Sequence, residues 1–153
     1  MTPKLTATAL GILSLGMLLA ALSPAAHAQS ETTGCSLSTL KGNYSVQGQG
    51  TILVQLPGLP PPPLLLAEIA IDFIDGAGNI TGKFTANAGG VVGSGTVAGT
   101  YTVNPDCTGT ISLVTSFGTP VNESFVLLRN GGLRLVQTDS YIVITRMMDK
   151  MRD

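Results

Sequence analysis

The sequence predicts an all-β fold, an antiparallel up-and-down barrel of about eight strands with one disulfide. Three observations carry that reading. Apolar and polar residues alternate with a period of two, as where Val97, Gly99, Tyr101 and Val103 interleave with Thr96, Ala98, Thr100 and Thr102. Turn-forming runs punctuate the alternation: Asp75-Gly76-Ala77-Gly78-Asn79, Asn104-Pro105-Asp106 and Asn130-Gly131-Gly132. Gly48, Gly50, Gly82 and Gly99 fall on the apolar faces, where a missing side chain lets a strand bend at a barrel corner and leaves interior room. Closure suits strands in simple succession, because it removes exposed edges.

Residues 1–28 precede the domain. Lys4 gives a positive start, Leu5 to Leu22 is an apolar run, Ser23-Pro24 breaks it, and Ala26-His27-Ala28 is a small-x-small cleavage site. This is the pattern of a secretory signal peptide. It predicts a secreted or periplasmic protein that meets the membrane only through this segment, before cleavage. The alternative is an uncleaved anchor, for which a run containing Thr and Ser is barely long enough. The polar Glu31-Thr32-Thr33-Gly34 ahead of Cys35 is no apolar lipobox.

The chain has 153 residues, enough for one domain, with eight basic and nine acidic side chains. Lys4 and the only histidine, His27, lie in the leader. The remaining basic residues are scattered and form no patch that would neutralise phosphates, which excludes nucleic acid as a partner. Without a histidine the domain has no Ser-His-Asp or Cys-His machinery and no histidine-ligated metal. Cys35 and Cys107 pair most simply with each other in an oxidising compartment; two free thiols are the alternative. Paired, they bind no zinc, and no cofactor is expected.

The elements follow in order. Residues 29–42 form an N-terminal segment, loose over Gln29–Gly34, with a short helical turn at Leu37–Leu40 started by Ser36 or Ser38. The barrel is read over 43–146. Its first strand starts at Asn43 with Tyr44, Val46, Gly48, Gly50, Ile52 and Val54 on one face. Pro57 to Pro63 is a stiff loop of polyproline II character, a reading preferred to a docking motif at Pro60–Pro63. The second strand is Leu64–Phe73, with Ile69, Ile71 and Phe73 read as its apolar face. The third is Ile80–Asn87, and Ala88 to Gly95 reads as a glycine-rich connection. The fourth ends at Val103, and Thr110–Thr115, Val121–Leu128, Leu133–Thr138 and Tyr141–Arg146 complete the set. Residues 147–153 read as a methionine-rich tail that frays.

Candidate site residues come from the inward parity. Tyr44, Phe73, Phe84, Tyr101, Glu123 and Phe125 are expected to line the interior. Glu123 shares a parity with Val121, Phe125 and Leu127, which aims it inward; the competing reading puts it at the strand's open end or beyond a bulge. A buried carboxylate must be paired or have a raised pKa. Glu68 and Asp72 share a face and would suit acid–base work as a pair, but opposite Ile69, Ile71 and Phe73 they are expected to point to solvent. Asp72, Asp75 and Asn79 fail the spacing of a calcium loop and read as a hairpin turn. Arg129 and Arg134 read as solvated.

Gly42-Asn43-Tyr44, the run from Phe73 to Gly82, the run from Gly99 to Thr110, and Phe125-Val126-Leu127 resemble a set of uncharacterised secreted bacterial proteins. These look like small barrels of the allene-oxide-cyclase-like or wider lipocalin-like kind. The resemblance covers most of the chain after the leader and rests on turns and strand faces. No catalytic residue of the plant cyclases is matched, and none is carried over. Pro60–Pro63 and the methionine-rich tail depart from the pattern. The expected role is a non-enzymatic barrel that is either fully packed or holds a small apolar ligand. The alternatives are a structural or interaction protein of the cell surface using loops such as Leu56–Pro63, and an isomerase or cyclase with Glu123 or Tyr44 as polar handle. Oligomeric state is left open.

Overall fold

A computed structural model describes residues 34–152, so the leader at 1–28 and the segment 29–33 lie outside the described residues. Eight strands form a closed antiparallel barrel in sequence order. They are β1 (Gly42–Ile52), β2 (Leu64–Ile74), β3 (Asn79–Ala88), β4 (Val91–Val103), β5 (Thr108–Thr115), β6 (Pro120–Leu127), β7 (Leu133–Gln137) and β8 (Ile142–Lys150). Closure comes from β1 pairing with β8, from Tyr44 opposite Lys150 to Ile52 opposite Ile142. Among the described residues no helix is long and apolar enough to cross a membrane.

Alternate connections meet at the same end of such a barrel. At one end lie the β2–β3, β4–β5 and β6–β7 turns, and that end is plugged. A 3-10 turn at Leu37–Leu40 places the fully buried Leu40 among Tyr44, Ile74, Ile80, Tyr101, Phe125 and Met148. The turn starts at Ser36, whose N–H donates to Thr39 Oγ1 at 3.0 Å. Tyr101 Oη donates to the Leu37 carbonyl at 2.9 Å. The Cys35–Cys107 disulfide ties the plug to the β4–β5 turn across a sequence separation of 72. By chain entropy, such a closure contributes about 4 kcal/mol.

The other end carries the β1–β2, β3–β4, β5–β6 and β7–β8 connections. The proline-rich loop does not project from it. Leu56 and Leu59 fold back onto a second apolar cluster of Ile52, Leu64, Ala88, Ile142 and Ile144. Gln55 Nε2 satisfies the carbonyls of Leu56 and Leu59 at 3.0 and 2.8 Å.

Three expectations are corrected. First, β2 is turned over relative to the apolar-face reading. Ile69 and Phe73 are 65% and 48% exposed on the outer face, while Glu68, Ala70 and Asp72 face inward. The β2–β3 turn dictates this. Asp75 Oδ1 accepts from the N–H groups of Ala77 and Asn79 at 2.7 and 3.0 Å, and Asn79 Nδ2 donates to Asp75 Oδ2 at 2.6 Å. That turn sets Ile74 opposite Ile80, both buried. Once Ile74 points in, the period of two sends Asp72, Ala70 and Glu68 in with it. Second, the glycine-rich connection is mostly strand: β4 starts at Val91. Third, Met147–Lys150 is not a fraying tail but the end of β8, and Met148 is buried in the main core.

Candidate functional site

The barrel interior between the plug and the loop end holds a cavity of about 190 Å³. Leu56, Leu66, Phe84, Val97, Leu113 and Phe117 give it an apolar wall. Phe84 and Phe117 meet edge to face, with ring centroids 6.1 Å apart, a preferred aromatic geometry. Glu68, Asp72, Glu123, Gln137 and Arg146 give it a polar side.

Arg146 is the centre of that polar side. On β8 it shares a parity with Ile142, Ile144 and Met148, which fixes its direction inward. Its Nε and Nη2 donate to Glu68, the latter at 3.2 Å to Oε2. Its Nη1 donates to Glu123 Oε1 and, at 3.3 Å, to Gln137 Oε1. Burial works against the guanidinium charge, but Glu68 and Glu123 outweigh it, so Arg146 is held above its ordinary pKa. Glu123 is 4% exposed; burial pushes its carboxyl up, and Arg146 opposes that shift without cancelling it. Gln137 extends the network. Its Nε2 donates to Asp139 Oδ2 at 2.8 Å and to Tyr141 Oη at 3.2 Å, and Tyr141 donates to the Pro120 carbonyl. The ionic cluster is thereby joined to the loop end.

Asp72 stands apart from this pairing. It is 5% exposed, and its Oδ1 is buried without a hydrogen-bond partner. Burial, with the neighbouring Glu123, pushes its pKa up to about 7. Three carboxylates and one guanidinium leave the site with excess negative charge whenever all are ionised.

Two inward glycines make this crowding possible. Gly48 on β1 lies in register with Glu68 on β2 and Arg146 on β8. A Cβ there would come within 2.8 Å of Glu68 Oε1 and 2.9 Å of Arg146 Cγ. Gly82 on β3 is opposite Asp72, and a Cβ there would sit 1.8 Å from Asp72 Oδ1. At Gly50 and Gly99 the neighbouring strand's backbone comes so close that a Cβ at either would meet it at about 2 Å.

The six residues expected to line the interior separate into three groups. Phe84 and Glu123 border the cavity. Tyr44, Tyr101 and Phe125 face inward but are packed into the core around the plug. The Tyr44 hydroxyl has no partner there, and burial and Tyr101 push its pKa up to about 12. Phe73 is outside, a correction that follows from the turned-over β2. Sequence reasoning missed Arg146 and Gln137 and directed Glu68 and Asp72 the wrong way. The signal was present in the parity of Arg146 with Ile144, and of Gln137 with Leu133 and Leu135.

No three His, Cys, Asp or Glu side chains among the described residues are placed to hold a metal ion. Neither a protein-family model nor a curated protein matches this chain.

Proposed function

We propose that the barrel binds a compact small molecule in its interior. The observation that carries this reading is the cavity of about 190 Å³ with an apolar wall and a polar side fixed by ion pairs. A dry cavity of roughly 150 Å³ accepts benzene, whereas pockets for drug-sized ligands begin at roughly 300 Å³. The size supports a single ring or a short branched chain, not a long acyl chain. The rigid Arg146 cluster suits capture by a preformed site. A closed barrel with an interior cavity also supports lipocalin-like kinship. Secretion belongs to the same proposal: the disulfide fits an oxidising compartment.

Calorimetric titration with cyclohexylmethanol tests the reading. The chain is expected to bind it, and Ala86→Leu, which fills the cavity beside Phe84, is expected to abolish binding while thermal unfolding stays cooperative. Equal binding to the filled variant overturns the reading, as does a parent chain that binds neither cyclohexylmethanol nor its amine and carboxylate analogues.

A further inference from the structure

We infer that the occupant of this cavity is a compact organic cation, an ammonium group on a small apolar body. This rests on the proposed interior site and names its ligand class. The charge arrangement motivates it. Arg146 directs its donors at Glu68, Glu123 and Gln137, so no cation is offered to an anionic ligand. Asp72 borders the same cavity and takes part in neither ion pair. Its Oδ1 is buried and unpartnered, packed into the space that Gly82, lacking a Cβ, leaves to it, while the residue itself borders the cavity. With Arg146 taken up by Glu68 and Glu123, the carboxyl of Asp72 has no ion-pair partner, and an ammonium in the cavity it borders supplies the missing positive charge. An anion entering here would meet Glu68, Asp72 and Glu123 in a low-dielectric site. The apolar wall, where Phe84 and Phe117 meet edge to face, offers aromatic surface for the apolar body and for the cation itself.

Asp72 is faced by Glu68 on its own strand, Tyr44 from β1, Glu123 from β6 and Arg146 from β8, while β3 offers only Gly82. A cation bound to this group is held more tightly once the carboxyl is ionised. Affinity therefore rises with pH through about 7 and levels off before the amine itself deprotonates.

The test uses the disulfide-intact chain and three probes of matched shape: cyclohexylmethylamine, cyclohexylmethanol and cyclohexanecarboxylate. The amine is expected to bind at least about tenfold more tightly than the alcohol, as one hydrogen bond between charged groups implies, and the carboxylate is expected not to bind. The advantage of the amine over the alcohol should disappear in Asp72→Asn and shrink between pH 8 and pH 5 in the parent chain, so the pH series decides the matter even if the variant folds poorly. If the alcohol binds as well as the amine, or if the carboxylate binds best, the inference falls and the interior site stands. If no probe binds, the proposed interior site falls with it. Amine affinity indifferent to both pH and Asp72→Asn also overturns the inference.

Discussion

Asp72 is the residue at which the physical chemistry of this protein is most exposed. Its carboxyl is buried, lacks a partner at Oδ1, and is raised from an ordinary value of 3.8 to about 7. The native state therefore holds a proton that the unfolded chain has already released between about pH 4 and pH 7. Because the folded value is the higher one, stability falls as pH rises across that window and is flat above it. Asp72→Asn removes the titration and keeps the shape. The variant is expected to be more stable than the parent by on the order of 4 kcal/mol at pH 8, with the gain vanishing near pH 4. Denaturant midpoints at the two pH values measure it; equal midpoints at pH 8 would show that the carboxyl is ionised without penalty. Gly82 belongs to the same account. Gly82→Ala puts a Cβ 1.8 Å from Asp72 Oδ1, an overpacking expected to cost roughly 1–3 kcal/mol. In the Asp72→Ala background most of that cost should be relieved, a coupling that a double-mutant cycle reads directly.

At the scale of the strand, β2 shows what is and is not legible in a sequence. The strands, their order and most of the turns could be read from alternation, because β-branched residues and Gly, Pro, Asn and Asp mark them by local chemistry. The face of β2 could not. Leu65, Ile69, Ile71 and Phe73 are its most apolar set, and burying the most apolar set is the usual rule. Here the turn at Asp75–Asn79 and the pairing of Ile74 with Ile80 set the parity, and the inward charge is compensated from β8, far away in sequence. The continuation of β8 past Arg146 was hidden for a similar reason. Met148 reads as tail until β1 is seen to pair with it opposite Val46. The orientation has a direct check. Ile69→Thr on the outer face is expected to shift stability by no more than about 0.5 kcal/mol. A loss of about 2 kcal/mol or more, the size seen when a buried isoleucine is truncated, would mean that Ile69 is in the core.

The whole molecule combines a plugged end, a charged middle and a loop-rich end. The plug, tied by Cys35–Cys107, anchors one end of the barrel. The charged middle is the costly part, since buried ion pairs seldom repay their desolvation in stability, and its cost is what points to a role beyond folding. The apolar wall then decides what size of molecule fits. The most direct measurement of the interior site is a crystal structure of the chain grown with cyclohexylmethanol. The ring is expected against Phe84, Leu113 and Phe117, with the hydroxyl turned toward Glu123 and Asp72 and Arg146 still paired with Glu68 and Glu123. An interior closed by collapsed side chains, or a probe found only on the outer surface, would contradict it.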